Sequence, residues 1–326
     1  MIIAQTPFRV SFFGGGTDFS QFFNRHGGAV LATAIDKYIY HSITPLPSPL
    51  FDYSIRLAYR KVECVSSIDD VEHRPFREVL RYLNVTRDVE ISLAADLPHS
   101  SGLGSSSSFT VGLINALTAF QGRFIAQSDL AACAIHIEHN VLGDTVGCQD
   151  QVLAAYGGLN IIRFTRDDTF VVHRISLPRS RIEELDECLL LFFTGITRTA
   201  NHIEQSKLES FDENQDSLKQ ILDLVDEAHG ILTGNRSLSE FGALVHKTWQ
   251  LKRRLATTVS SPAIDAMYES ARAAGALGGK LLGAGGGGFL LFFVPPERQA
   301  SVRNALAGHF EVAFSINATG SRIIHS

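Results

Sequence analysis

The sequence predicts an α+β protein of two domains, residues 1–180 and 181–326, the second a ferredoxin-like βαββαβ unit. Three observations lead there. The chain has 326 residues, about twice the ~150 of a typical domain. Residues 177–186 break the apolar patterning with a proline, two arginines and three acids. Beyond them the elements run strand, two helices, helix, strand, strand, helix, strand, which is βαββαβ with an inserted helical pair.

Residues 1–13 alternate weakly and are rich in β-branched and aromatic side chains, so they read as a strand. Residues 29–44 read as a longer one. Pro45, Pro47 and Pro49 exclude helix and central strand. Residues 54–65 suggest a hairpin, 75–83 a short helix and 89–94 a strand. A helix over Ser105–Phe120 would carry Phe109, Leu113, Leu117 and Phe120 on one stripe. Ser128 suits the N-cap of the next helix, which would reach Leu142. Residues 157–164 and 169–177 read as paired strands. In the second domain, 188–194 is a buried strand, and two amphipathic helices follow, marked by Leu218, Ile221 and Val225, then by Phe241, Leu244 and Leu251. Ser261-Pro262 opens a helix as N-cap and first-turn proline. Strands at 280–282 and 289–294 flank a glycine loop. A helix opened by Pro295-Pro296 and a last strand at 311–316 complete the order.

Composition removes several function classes. Net charge is −5 and charged residues are 19%, below the roughly 25% of an average globular chain. No block of like charge is present, which argues against nucleic acid or an anionic membrane as partner. The longest apolar runs fall far short of the ~18 residues of a membrane span. The first residues lack a secretory pattern. Cys64, Cys133, Cys148 and Cys188 form no C-x-x-C pair. Buried free thiols in a reducing cytoplasm are expected. Oligomeric state is not legible.

The 27 glycines are unevenly spread, with clusters at Gly14-Gly15-Gly16, at Gly102/Gly104 and at 283–288. The loop Pro98-His99-Ser100-Ser101-Gly102-Leu103-Gly104 feeds Ser105, Ser106, Ser107 and Ser108 at a helix start. Glycines let amides converge, and the helix N-terminus adds its dipole, which suits phosphate. Alone, such a segment is more often a flexible turn, and no Gly-Lys-Ser follows to make a Walker loop. Glu138 falls on the apolar stripe of its helix, where a carboxylate needs a cation or hydrogen bonds; a glutamate reaching solvent at the stripe edge is the competing reading. His136 and His139 lack zinc-site spacing and read as surface or capping histidines. Asp150 follows a glycine turn and could orient or deprotonate a hydroxyl, although aspartates are common in turns. Arg9, Thr17 and Asp18 flank the first glycine cluster, where an ordinary tight turn would also place them. Five glycines in the six residues 283–288 suggest close backbone approach to a ligand.

Taken together, Arg9-x8-Asp18, Pro98-x3-Gly102-Leu-Gly-Ser-Ser106, Glu138-x11-Asp150 and the 283–288 loop resemble the GHMP kinase superfamily, in the family's order and over nearly the whole chain. The resemblance implies an N-terminal domain like domain 2 of ribosomal protein S5 and a ferredoxin-like C-terminal domain. It implies that the segment Pro98, Gly102, Leu103, Gly104, Ser105, Ser106, Ser107 and Ser108 wraps ATP phosphates. Ser106 and Glu138 would hold Mg²⁺, Asp150 would be the catalytic carboxylate, and Arg9 would stand beside it. Asp18 would bind sugar hydroxyls, and Gly285 and Gly286 would close over the substrate side. Within the superfamily, Gly14-Gly15-Gly16-Thr17-Asp18 and Phe193-Thr194-Gly195-Ile196-Thr197-Arg198 are similar to bacterial D-glycero-D-manno-heptose 7-phosphate kinases. Galactokinases carry Glu-His-Thr-Asp where this chain has Gly15-Gly16-Thr17-Asp18. The implied substrate is a sugar phosphate, with Arg198 and the 14–16 amides as candidates for the phosphate. An unphosphorylated sugar such as galactose or fucose, or a non-catalytic sensor of the same fold, stays open.

Overall fold

Residues 1–99, 101–196 and 214–326 are described by the structure, a computed structural model. The first part of the chain builds β1 (Ile2–Phe13), α1 (Ser20–His26), β2 (Gly28–Pro45), β3 (Ile55–Ala58), β4 (Val62–Val65), α2 (Arg74–Tyr82), β5 (Val89–Ala95), α3 (Ser105–Phe120), α4 (Gln127–His136), α5 (Gln149–Tyr156), β6 (Leu159–Phe164) and β7 (Phe170–Arg174). The second part adds α6 (Arg179–Glu187), β8 (Leu189–Phe193), α7 (Gln215–Thr233), α8 (Leu238–Arg254), α9 (Pro262–Ala273), β9 (Gly278–Leu281), β10 (Phe289–Phe293), α10 (Gln299–Ala305) and β11 (Arg322–His325).

The first sheet is organised by its two longest strands. β1 and β2 pair antiparallel along most of their length. The far edge of β2 serves two neighbours: its first residues pair with β6 and its last with β5. The sheet order is β11-β1-β2-β5-β3-β4, with β7 beyond β6. Helix α3 packs on β1 and β2 and is buried along most of its length.

The second sheet is β8-β10-β9, antiparallel throughout. Its strands are apolar without alternation because both faces are covered. Phe289, Leu291 and Phe293 face the core shared with the first domain, while Leu290 and Phe292 face a second cluster around Trp249 and Tyr268. The inserted helices join the two domains: Phe241 of α8 makes edge contacts with Phe12 and Phe13 of β1 at 5.4 and 5.0 Å.

Several expectations need correction. Residues 311–316 form no regular strand. Glu311 bridges Phe192 on the open edge of β8, the fourth position of a ferredoxin-like sheet, but Ile316 already pairs with Ile35 of the first domain. The chain then adds β11 beside β1, so its end returns to the first domain, which a division at 180/181 does not foresee. Residues 177–186 are largely helix α6, docked through buried Leu185. Ser128 does not cap α4; Ala126 holds that position, and the Ser128 hydroxyl turns to Asp129. Helix α4 passes into a π-helical turn, Ile137–Val141, before Leu142. Of the free thiols, Cys148 and Cys188 are buried, but Cys64 is exposed. No helix among the described residues is long and apolar enough to cross a membrane.

Candidate active site

A cavity of about 830 Å³ lies between the two domains. Its walls come from β1, the loops after β1 and β5, the start of α3, the π-turn, the start of α5, α8 and the 283–288 loop.

Arg9 and Asp150 meet at its centre. Arg9 sits mid-β1 and is 5% exposed. Its Nε and Nη2 donate to the two carboxylate oxygens of Asp150, both at 2.6 Å, and its Nη1 donates to the Gly102 carbonyl at 2.6 Å. This bidentate pair fixes both side chains. Asp150 is not in a turn, as the sequence reading had it, but in the first turn of α5. That helix was missed because its eight residues run from a polar half, Gln149-Asp150-Gln151, into an apolar one and show no 3.6-residue period.

The glycine–serine loop docks against this pair. The Arg9 N–H donates to the Leu103 carbonyl at 3.0 Å. Gly104 is the N-cap of α3, at φ +76°, and offers no side-chain cap. The first intrahelical bond runs from the Ser108 N–H to the Gly104 carbonyl, so the helix presents its N-terminal dipole to the cavity. Pro98, Gly102, Gly104, Ser105, Ser106 and Ser107 line the cavity; Leu103 and Ser108 do not. Leu103 is core, and the Ser108 hydroxyl bonds the Pro7 carbonyl.

Glu138 is 2% exposed, as its place on the apolar stripe requires. Its Oε2 accepts from Ser107 Oγ at 2.9 Å and from the Gln151 amide. Its Oε1 is buried without a hydrogen-bond partner. Burial pushes this carboxyl up to about 7; Asp150 adds to the rise, while Thr110, Ser107 and Gln151 oppose it. Ser107, not Ser106, therefore bonds Glu138. The helix turns Ser107 inward and leaves Ser106 exposed on the cavity wall. His139 is half-buried rather than on the surface.

The first glycine cluster divides. Gly15, Gly16 and Asp18 line the cavity, whereas Gly14 and Thr17 do not. Thr17 is fully buried, its hydroxyl 2.8 Å from the Gly14 carbonyl and 2.9 Å from that of Ala29, so it closes the turn. Asp18 accepts from the Gly16 N–H and from Gln149 Nε2, each at 2.9 Å. A Cβ on Gly147 would stand 1.9 Å from Asp18 Oδ2, so only glycine fits there.

The third glycine cluster packs on protein backbone. A Cβ on Gly283 would lie 2.5 Å from the Gly102 Cα, and one on Gly288 2.4 Å from the Ser101 carbonyl. The two glycine loops thus lie backbone to backbone across the domain junction. Gly285 reaches the cavity; Gly286 does not line it and binds the Val259 carbonyl instead. Arg198 lies outside the described residues.

Several wall residues were not singled out from sequence. Lys252 on α8 and Lys280 on β9 are 8% and 3% exposed. Lys252 Nζ donates to the carbonyls of Leu281 and Gly283, and Lys280 Nζ to that of Phe12. A lysine inside a fully buried strand was the available signal. Ser11 and Gln149 line the same end. The opposite end is apolar, formed by Ile39, Tyr59, His73, Leu93, Leu97 and Phe109. Glu63 accepts from the Tyr59 hydroxyl at 2.6 Å and from the Glu72 and His73 amides, which ties the rim of that end together.

Comparison with known proteins matches this arrangement. Residues 73–158 match the GHMP kinase N-terminal domain and 230–312 the GHMP kinase C-terminal domain. The chain belongs to the GHMP kinase superfamily. A D-glycero-alpha-D-manno-heptose 7-phosphate kinase of Campylobacter jejuni is 29% identical over 94% of this chain and 93% of its own. A Bacteroides thetaiotaomicron structure described as a D-glycero-D-manno-heptose 1-phosphate kinase superposes with TM-score 0.81, at 25% identity and full coverage of both chains. An L-fucokinase/L-fucose-1-P guanylyltransferase of Bacteroides fragilis is 26% identical over 93% of this chain, but over only 35% of its own length. This GHMP kinase is thus an ATP-dependent phosphotransferase related to sugar kinases. The names of its two heptose-kinase relatives differ on where the sugar phosphate stands.

Proposed function

We propose that the protein transfers the γ-phosphoryl group of ATP to the anomeric hydroxyl of D-glycero-D-manno-heptose 7-phosphate, giving the 1,7-bisphosphate for nucleotide-activated heptose synthesis. The observation that carries this reading is the position of the Arg9–Asp150 pair, in one cavity with the helix α3 N-terminus and two buried lysines. The near full-length Campylobacter jejuni relative supports the choice of sugar.

In this reading the apolar end, with Tyr59, receives the nucleobase. The 102–108 segment and the α3 dipole receive the phosphates. The sugar O1 bonds Asp150 and attacks the γ-phosphorus; the bond to the β–γ bridging oxygen breaks, and ADP leaves with that electron pair. The hydroxyl proton passes to Asp150. Arg9 holds Asp150 in place and adds positive charge where phosphate charge develops.

The residues present fit Mg²⁺. Glu138 is buried with one oxygen unpartnered and bonds Ser107, and Ser106 lines the same cavity. Among the described residues no three His, Cys, Asp or Glu side chains cluster as a metal site. That suits a magnesium ion held by one carboxylate, hydroxyls and nucleotide phosphates. When bound, the ion would neutralise phosphate charge.

The sugar's own phosphate calls for cations, which Lys252 and Lys280 supply together with Arg198. The test is kcat/KM by coupled ADP release for heptose 7-phosphate, mannose 6-phosphate, free heptose and galactose. Heptose 7-phosphate should lead. Lys280→Gln should erode its lead over free heptose by about tenfold or more. If a free sugar outperforms every phosphorylated one, the heptose phosphate assignment fails.

A further inference from the structure

Two buried oxygen atoms at the sugar end of the cavity have no hydrogen-bond partner within the protein. Ser11 follows Arg9 by two residues on β1, so both side chains leave the same face of the strand, and both line the cavity. Ser11 is 6% exposed, yet its Oγ has no hydrogen-bond partner. The second atom is Gln149 Oε1, also buried and unpartnered. Leaving such atoms unbonded costs free energy, so a pair of them on one wall points to a ligand that bonds them.

The orientation of the Gln149 amide is set chemically. Asp18 Oδ2 accepts from Gln149 Nε2 at 2.9 Å, while Asp18 Oδ1 is held by the Gly16 N–H. A carboxylate accepts only, so the amide must turn its NH₂ to Asp18 and its oxygen the other way. Gln149 Oε1 therefore demands a proton donor. Gly15 leaves the intervening space open: its missing Cβ would lie 3.8 Å from both Ser11 Oγ and Gln149 Nε2. The Ser11 hydroxyl and the Gln149 amide thus flank the same open space, and the reacting hydroxyl belongs at the adjacent residue, Asp150.

We propose that Gln149 Oε1 and Ser11 Oγ read a second hydroxyl group of the sugar, with Asp18 as the positioning residue that fixes the Gln149 amide. The proposal deepens the reading of the cavity as a sugar kinase site and rests on it. It reassigns Asp18, whose carboxylate sets the amide instead of itself selecting the sugar. A fluorine in place of the hydroxyl cannot donate, so it fails against Gln149 Oε1 however well it fits.

The experiment compares kcat/KM for the preferred sugar of the ADP-release panel with its monodeoxyfluoro analogues at each position other than the reacting one. Wild type should reject one analogue on the order of 100-fold. Gln149→Met should bring that ratio within threefold of unity by slowing the parent sugar. Asp18→Asn frees the amide to turn and should shrink the ratio at least tenfold. Ser11→Ala should not lower the apo melting temperature, because it removes an unsatisfied oxygen and no bond; a structural role would lower it. An unchanged fluoro ratio in Gln149→Met overturns the proposal, as does the absence of any analogue rejected by wild type. If the preferred sugar is unphosphorylated, the heptose phosphate reading falls while the ratio still decides this one.

Discussion

Arg9 and Asp150 at the centre of the cavity are bonded to each other through two 2.6 Å contacts. Glu138, Ser11 and Gln149, on the same walls, each keep a buried oxygen without a partner. The first set is complete before any ligand arrives; in the proposed reading the second is completed by ligand. The difference separates groups that need fixed geometry from groups that need an incoming charge or proton. It also states where folding stability is lost to function, since an unpartnered buried oxygen destabilises the apo protein.

Breaking the completed pair should have the largest effect. Asp150→Asn keeps one oxygen for Arg9 but removes the base and the charge. We expect kcat to fall by about 10³-fold or more, with the ATP KM little changed. Because Arg9 is buried and loses half its bidentate partner, the melting temperature should drop as well. Turnover near that of wild type in a folded Asp150→Asn protein would remove this residue from the chemistry.

The unpartnered set should respond in the opposite direction on stability. The Glu138 carboxyl ordinarily titrates near 4.5 and is pushed to about 7 by burial. The folded state therefore binds its proton more tightly than the unfolded chain does. Its contribution to stability is fully present below about 4.5 and is lost as pH rises through about 7. The loss is on the order of 3 kcal/mol, at about 1.4 kcal/mol per pKa unit. Glu138→Gln should flatten apo stability between those pH values and raise the melting temperature at pH 8, while the Mg²⁺ concentration for half-maximal activity rises about tenfold or more. Parallel pH–stability curves for wild type and Glu138→Gln would show that the carboxylate is not strained as described.

Much of the second half was legible because its strands and capped helices obey local rules. Ser261 accepts from the Ile264 amide, and Pro262 opens α9 as a first-turn proline should. Glu138 was legible from the stripe it interrupts, and the glycine loops from their density. What the loops approach was not: the 283–288 run packs on Ser101 and Gly102, a contact made by two segments far apart in sequence. Lys252, Lys280, Ser11 and Gln149 were missed for the same reason. Apart from Lys280, whose place in an apolar strand was a signal, each is ordinary in its own element and becomes chemical only when β1, α5, α8 and β9 meet. The return of the chain end as β11 was hidden too, since Arg322–His325 is a short edge strand with one half-buried and three exposed residues.

The finest test of the comparison uses two neighbouring serines. Ser107 is 2% exposed and donates to Glu138 Oε2. Ser106 is exposed on the same wall. Ser107→Ala removes a buried hydrogen bond and leaves Glu138 with one fewer donor. Apo stability should fall by about 1 kcal/mol. The loss should grow as pH rises through about 7, where the folded carboxyl ionises, because the bond stabilises the charged carboxylate and lowers its pKa. Ser106→Ala should leave apo stability within about 0.5 kcal/mol at every pH and instead raise the Mg²⁺ or ATP requirement a few-fold. Thermal melts at pH 5 and pH 8, beside Mg²⁺ titrations of turnover, separate the two. If Ser106→Ala is the destabilising variant and Ser107→Ala the silent one, helix α3 presents the other hydroxyl to Glu138, and the division between completed and waiting groups has been drawn one residue out of place.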